Sequence, residues 1–289
     1  MVTMVLTGFT GALTFTQATI TANATPKKLP IYSVETTEKK IAVTFDAAWS
    51  AEDTEQLIEI LNKHNAKITV FAVGDWVRKN PEAVKAFYDN GHEIANHSDT
   101  HALFGKVSAE KVKEEIINCN NEIEKITGQK PKTVRAPSGD YDNKSIEIAE
   151  SLGMKMIQWD VDSLDWKLLS VDEMYNRVID KTENGSIILF HNGVENTPEA
   201  LDKILTKLKK DGYESVTVSV LFIFLSTYPD QINPSLDFTY HLLCSESLCL
   251  HLLHLRRNRQ QFYQHFLCTL RYICNLHYSH HKGQICLNL

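Results

Sequence analysis

The sequence predicts an α/β fold in which a parallel sheet, covered by helices, curls into a closed or nearly closed barrel. Short apolar runs of strand length alternate with amphipathic helical patterns between residues 40 and 220. About seven strand–helix units in about 180 residues suit a β/α barrel better than a flat sheet, although periodicity alone does not separate the two. Polar residues with catalytic chemistry follow the strands, at the end where such folds place their sites.

The first elements are predicted from apolar runs and from helix-end signals. Apolar runs typical of buried strands cover residues 41–45, 68–73 and 92–95. Leucines and isoleucines at helical spacing predict a helix over residues 52–64. A second helix begins at Pro81 and is ended by Gly91, since proline fits the first helical turn and glycine follows helix ends.

The later elements continue the same alternation. A long amphipathic pattern over residues 108–127 predicts a helix with Ser108 as its N-cap and Gly128 as its C-cap. The remaining predicted helices cover residues 143–152, 171–181 and 197–210. The remaining predicted strands cover residues 133–134, 155–159, 186–190 and 215–218.

Composition limits the class of protein. The chain has 289 residues, of which 23% are charged, with a net charge of -6. Neither a disordered chain nor a basic nucleic-acid-binding protein has such values. Apolar runs of membrane-spanning length are absent after the first twenty residues, which excludes a polytopic membrane protein.

Two compositions meet near residue 220. Residues 1–220 hold 25 Lys+Arg and 33 Asp+Glu, whereas residues 221–289 hold 5 and 3, together with five of the six cysteines. We predict a signal or anchor remnant and linker over 1–37, a barrel domain over 38–220, and an atypical Cys/His-rich tail over 221–289. The tail cysteines form no tight zinc-type pair and their number is odd, which favours a disordered or out-of-frame extension.

The N-terminal segment has features of an export signal. Residues 4–20 are mildly apolar, and Ala22-Asn23-Ala24 is a small-x-small triplet of the kind that signal peptidases cleave, but a positive n-region is missing. A degenerate or truncated signal, or a membrane anchor, predicts an exported protein of the cell envelope. The alternative interpretation is a disordered N-terminus.

Titratable side chains directly follow the predicted strands. Asp46 follows the first strand, His97 and His101 the third, Arg135 the fourth, and His191 a later one. Two imidazoles four residues apart face the same way on a helical turn and can share a metal, although surface pairs at this spacing are also common.

An acid–base pair is predicted from the same strand ends. Asp46 is interpreted as a general base held by the guanidinium of Arg135, and the alternatives are a helix cap or a structural ion pair. An acid near Asp162 or Asp165, bonded to His191, would raise the pKa of that imidazole, as a general acid requires.

The motifs together resemble those of the polysaccharide deacetylase family, that is, the NodB-homology or carbohydrate esterase family 4 enzymes. They are Thr44-Phe45-Asp46, His97-Ser98-x-x-His101, Arg135-x-Pro137, Asp162-x-x-Asp165-Trp166 and Leu189-x-His191. The resemblance covers residues 38–221 and is greatest to the sporulation-associated branch. It implies a distorted (β/α)7–8 barrel of the NodB-homology type that removes acetyl groups from N-acetylated amino-sugar polymers, either peptidoglycan or a chitin-like glycan.

The resemblance also implies a role for each motif residue. His97 and His101 would hold a divalent metal, usually zinc, and Asp46, oriented by Arg135, would be the base. Asp165 would tune His191 as the general acid. The pocket for the acetyl group would be formed by Trp166, Leu189 and the backbone N–H of Ser138. The expected partner is the glycan polymer and not nucleic acid, and the expected state is a monomer with a possible membrane anchor.

One motif departs from the family pattern. The second aspartate of the first motif, a metal ligand in the family, is Ala47 here. A site with two histidines binds zinc weakly or not at all unless another carboxylate, such as Asp99, takes the third position. The alternative function is therefore a weakened or inactive glycan-binding relative. A different metal hydrolase on a similar barrel is a further alternative, against which the motif order argues.

Overall fold

The computed structural model describes residues 26–226. The predicted export signal and nearly all of the Cys/His-rich tail lie outside the described residues. Within residues 26–226, no helix combines the length and the hydropathy that crossing a bilayer requires.

The described chain alternates strands and helices along its whole length. The strands are β1 Lys40–Ala47, β2 Ile68–Ala72, β3 Glu93–Asn96, β4 Thr133–Val134, β5 Lys155–Met156, β6 Val161–Asp162, β7 Ile187–His191 and β8 Glu214–Ser215. The helices are α1 Thr54–His64, α2 Gly74–Lys79, α3 Pro81–Asp89, α4 Ala109–Thr127, α5 Asn143–Ser151, α6 Val171–Ile179, α7 Thr197–Lys210 and α8 Val218–Ser226. Short 3₁₀ turns lie at Phe104–Lys106, Pro137–Gly139 and Asp165–Lys167.

All strands of the described sheet pair in parallel. Their order is β5-β4-β3-β2-β1-β7-β6, and β8 pairs with the start of β1. The predicted α/β architecture is confirmed, and the sheet curls into a half-barrel. Because β1 lies between β2 and β7, residue Asp46 at its end has Phe71 and His191 as direct neighbours.

Side chains of β1 alternate between two apolar layers, as the two-residue repeat of a strand requires. Val43 and Phe45 belong to the cluster that also contains residues of α1 and α7. Ala42 belongs to a second cluster, with Phe71 and Ile187, on the inside of the curled sheet. Each large apolar side chain buried in this way contributes roughly 1.5–3 kcal/mol, which fixes the strand ends that carry the polar residues.

Helix ends largely follow the sequence signals, and two helices, α2 and α8, were not predicted. Ser108 caps α4 by accepting a hydrogen bond from the backbone N–H of Lys111, and Gly128 is left-handed at the end of the helix. The first of them, α2, is six residues long and has no side-chain cap. It begins at Gly74, where an added Cβ would lie 2.2 Å from the Asp99 carboxylate.

The predicted last strand over residues 215–218 is wrong in its second half. β8 ends at Ser215, and α8 begins at Val218. Val218 and Leu221 are fully buried in the inner cluster, and the Val218 N–H donates to Thr69 Oγ1. The packing of α8 therefore extends past residue 220.

The segment predicted as linker also packs on the domain. Ile31 forms a β-bridge with Ile157, and Ser33 forms one with Ser186. Val34 is buried in the inner cluster. The predicted boundaries at residues 37 and 220 thus fall within packed structure, because local composition does not report contacts with distant strands.

Truncation tests the role of α8. A chain ending after residue 217 loses two buried aliphatic side chains, so its free energy of unfolding should fall by about 3–6 kcal/mol relative to a chain ending after residue 226. Urea unfolding followed by circular dichroism measures the difference. Equal transitions for the two chains would show that α8 does not stabilise the domain.

Candidate active site

Asp46 and Arg135 form a buried ion pair at the carboxyl end of the sheet. Nη1 of Arg135 donates to Asp46 Oδ1 over 2.6 Å, and Nη2 donates to the carbonyl of Gln158 over 3.1 Å. Burial raises the pKa of Asp46, but the charges of Arg135, His97 and His191 outweigh it and hold the pKa below 3.8. The carboxylate is therefore ionised at neutral pH.

His191 is held by Asp165 through both the side chain and the backbone. His191 Nδ1 lies 2.7 Å from Asp165 Oδ1, and the His191 N–H donates to Asp165 Oδ2 over 2.7 Å. Thr197 Oγ1 donates to the same carboxylate over 3.0 Å. Burial lowers the pKa of His191, but the Asp165 hydrogen bond and the charge of Asp46 outweigh it and raise the pKa above 6.5.

His97 and His101 lie close together next to the base. Their ring centroids are 5.2 Å apart, His97 Nδ1 donates to the carbonyl of Arg135 over 3.0 Å, and His97 Nε2 lies 3.4 Å from Asp46 Oδ2. Burial lowers the pKa of His97 to about 4 and also lowers that of His101. Both rings are thus neutral at neutral pH, as metal binding requires.

The loop that carries these histidines is not the helical turn that the spacing suggested. Ser98 and His101 have positive φ angles of 67° and 62°, so the pairing of the rings comes from a strained loop. The buried carboxylate of Glu115 on α4 accepts hydrogen bonds from the backbone N–H groups of Asp99 and Thr100 over 2.9 and 2.7 Å. Sequence reasoning missed Glu115, although a charge on the apolar face of α4 was a signal.

The described residues do not fit a three-ligand metal site. They contain no group of three or more His, Cys, Asp or Glu side chains that could hold an ion. Ala47 occupies the expected third position and is buried in an apolar cluster. Asp99, the carboxylate considered as a substitute, accepts a hydrogen bond from Arg78 over 2.6 Å.

The predicted pocket residues Leu189, Trp166 and Ser138 lie close in sequence to His191, Asp165 and Arg135, respectively. Leu189 is buried two residues before His191, on the same side of β7. The side chain of Trp166 is 49% exposed, and the backbone N–H of Trp166 donates to Asp165 Oδ1 over 2.8 Å. Ser138 adopts a left-handed conformation, with φ of 53°, in the 3₁₀ turn that follows Arg135. The assignment of these side chains to an acetyl pocket stays a prediction.

Trp49 follows the first motif and is a site residue to which the sequence analysis assigned no role. Its indole stacks on the imidazole of His191, with ring centroids 5.1 Å apart. The stack joins the β1–α1 loop to the end of β7, and sequence separation gives no sign of it. Its one local signal was a tryptophan three residues after Asp46.

The pKa of His191 tests the acid–base pair directly. Asp165→Asn removes the main influence that raises this pKa while burial remains, so the pKa of His191 should be lower in the variant than in wild type. The raised pKa of wild-type His191 stabilises the fold below 6.5, and this contribution is lost as pH rises through the folded-state pKa. In the variant we expect that pH dependence to weaken, because the folded-state pKa of His191 is lower.

Histidine-selective NMR titration and pH-dependent unfolding measure these two effects. Thr197→Val is the matched control, since it removes only a hydroxyl that donates to the same carboxylate. An unchanged His191 pKa in Asp165→Asn would contradict the assignment.

Comparison with known proteins agrees with this geometry. Residues 33–157 match the family model described as "Polysaccharide deacetylase". The chain is 35% identical over 192 residues to the uncharacterized protein YlxY of Bacillus subtilis (strain 168), covering 66% of this chain and 60% of that protein. It is 34% identical over 195 residues to a peptidoglycan-N-acetylglucosamine deacetylase of Bacillus cereus, covering 66% of this chain and 91% of that protein.

A solved structure with a CE4 fold is also similar to this chain. BA3943, a CE4 family pseudoenzyme from Bacillus anthracis, superposes with a TM-score of 0.65 at 35% identity, covering 67% of this chain and 68% of that one. The parallel half-barrel places this chain in the fold class of this CE4 structure. The chain belongs to the polysaccharide deacetylase family, which confirms the resemblance found in its motifs. It spans 60% of the length of YlxY and 41% of that of PgdA from Listeria monocytogenes.

Proposed function

We propose that this chain binds N-acetylated amino-sugar polymers of the bacterial cell wall and hydrolyses their acetamide groups. The observation that carries this proposal is the pairing of Asp46 with His191 on the neighbouring strands β1 and β7. The pKa of the carboxyl is lowered and that of the imidazole is raised, so one group is a base and the other an acid at the same pH. Bacillus cereus relatives are named peptidoglycan-N-acetylglucosamine deacetylases.

In the proposed reaction Asp46 accepts a proton and His191 donates one. Asp46, held by Arg135, takes a proton from the water that attacks the acetamide carbonyl carbon. The N–H of Ser138 donates to the oxyanion of the tetrahedral intermediate. His191 then gives its proton to the nitrogen as the carbon–nitrogen bond breaks, and the products are acetate and a free amino sugar.

Metal dependence is general in this family, but the residues of this chain do not fit the usual site. The reaction steps above therefore use only groups of the chain itself. His97 and His101 are two neutral ligands, and we propose that they bind zinc weakly. Low turnover is the expected consequence, because a metal contributes several kcal/mol of transition-state stabilisation.

Glycan binding without turnover is the second candidate function. It is favoured by Ala47 and by the likeness to BA3943, a pseudoenzyme of which one mutant is described as having restored enzymatic activity. Both candidates place the chain at the peptidoglycan, outside the cytoplasm. We also propose that the protein is anchored to a membrane, acts in spores and is a monomer.

Acetate release tests the proposal. Purified chain is incubated with zinc and either N-acetylglucosamine oligomers or peptidoglycan, alongside Asp46→Asn and His191→Gln variants whose folding is checked by circular dichroism. Loss of the base or the acid should lower acetate release by about 10²–10⁴-fold. Wild-type release no greater than that of Asp46→Asn would overturn the hydrolytic function, and retained glycan binding would then establish the second candidate.

A further inference from the structure

Trp49 is a large aromatic side chain that the proposed reaction does not use. Its indole and the imidazole of His191 are stacked, with an angle of 28° between the ring planes. The side chain is nevertheless 51% exposed within the described structure. One part of the indole therefore covers the general acid, and the other part is free to contact a ligand.

The position of Trp49 is fixed by the residues that follow the general acid along the chain. Asn192 donates a side-chain hydrogen bond to the carbonyl of Ser50. The N–H of Gly193 donates to Asp53 Oδ2 over 2.6 Å. Gly193 has a φ of 71°, and an added Cβ would lie 3.0 Å from the backbone nitrogen of Ser50. These close contacts hold the loop around Trp49 against the end of β7.

We propose that the indole of Trp49 stacks on a pyranose ring of the glycan, next to the place where the sugar nitrogen reaches His191. This inference rests on the proposed substrate class. A pyranose with equatorial substituents has C–H bonds on its two faces and polar groups at its edge. Such a face matches a flat, half-exposed indole, and apolar contact of this kind is stabilising in water. Since the leaving nitrogen must reach His191, a sugar ring must lie next to Trp49.

A second exposed tryptophan is consistent with a chain of sugars and not a single ring. Trp166, 49% exposed, follows Asp165 directly and is bonded to it through its backbone. His191 and its partner Asp165 therefore each have an exposed tryptophan next to them: Trp49 stacks on His191, and Trp166 follows Asp165 in the chain.

Binding without turnover tests this stacking. The full chain is titrated by calorimetry with an N-acetylglucosamine tetramer in the presence of EDTA, which removes any metal-dependent hydrolysis. Trp49→Ala should weaken binding about three- to tenfold, and Trp49→Phe should retain most of the affinity. Leu168→Ala is the matched control, because Leu168 is also a large exposed apolar residue, 73% exposed, to which the proposal assigns no sugar contact, and this variant should bind like wild type.

Each outcome decides the inference. Equal affinities of Trp49→Ala and wild type would overturn it, as would equal losses in Trp49→Ala and Leu168→Ala or no binding by the wild-type chain. Ligand-induced shifts of the His191 NMR signals, present in wild type and reduced in Trp49→Ala, would support it without relying on affinity. A chain that releases no acetate but loses affinity in Trp49→Ala would uphold the stacking and refute hydrolysis.

Discussion

Ala47→Asp is expected to raise acetate release about 10²–10³-fold in the presence of zinc, the largest gain that a single substitution in this chain should give. The described residues supply two neutral imidazoles, His97 and His101, and no third ligand. In the family that the motifs resemble, position 47 carries the third metal ligand, so we expect a carboxylate there to complete the set of three protein ligands that is usual for catalytic zinc. The proposed base Asp46 and the proposed acid His191 already have their partners Arg135 and Asp165, so the metal is the contribution that we expect this substitution to add.

The stability of the same variant should depend on metal in a way that wild type does not. Ala47 is fully buried in an apolar cluster, so a carboxylate there is desolvated and should destabilise the metal-free chain. Zinc that binds only the folded variant reverses the loss, by about 2.7 kcal/mol at one hundred times the dissociation constant. Thermal unfolding with and without zinc measures this coupling separately from turnover.

Two substitutions are matched controls for this experiment. Ala47→Asn has the same volume as the aspartate without its charge, and Ala48→Asp moves the charge to the adjacent position. Neither should gain zinc-dependent stability or acetate release. If zinc shifts the melting temperature of wild type and Ala47→Asp equally, the missing ligand is not at position 47 and the explanation of low turnover is wrong.

Most of the acid–base pair could be predicted because it depends on a rule of topology. Parallel strands end at one edge of a sheet, so Asp46, Arg135 and His191 were expected together from their positions after apolar runs alone. The structure pairs Asp46 directly with His191 and bonds Arg135 to Asp46. The local pattern also predicted α4 and its caps, since those contacts lie within the helix itself.

The parts that could not be predicted depend on contacts between distant segments. The predicted strand over residues 155–159 is shorter, because β5 ends at Met156 and Ile157 forms only a bridge with Ile31. The support of the histidine loop by Glu115 joins a loop to a helix, and the stack of Trp49 on His191 joins a loop to the end of a strand. A pattern of apolar residues carries no information on such pairs.

Arg135→Met should destabilise the fold by about 3–5 kcal/mol, since it removes one partner of a fully buried ion pair and leaves the other charge uncompensated. The methionine fills much of the same volume, so the main loss is the charge and the 2.6 Å hydrogen bond to Asp46. Adding Asp46→Asn removes the uncompensated carboxylate and should recover most of the stability. The two single variants and the double variant form a cycle that measures the coupling.

The pH dependence of the unfolding free energy tests whether the uncompensated Asp46 carboxylate causes the destabilisation of Arg135→Met. In wild type the pKa of Asp46 is lowered below 3.8, so the pair contributes stability that is present above that value and is lost as pH falls through the folded-state pKa. Arg135→Met removes the largest influence that lowers the pKa of Asp46 while burial, which raises it, remains, so this pKa should be higher in the variant than in wild type. The difference in unfolding free energy between wild type and variant should therefore shrink as pH falls. A difference that stays constant with pH would show that packing of the Arg135 side chain, and not its charge, holds this edge of the sheet together.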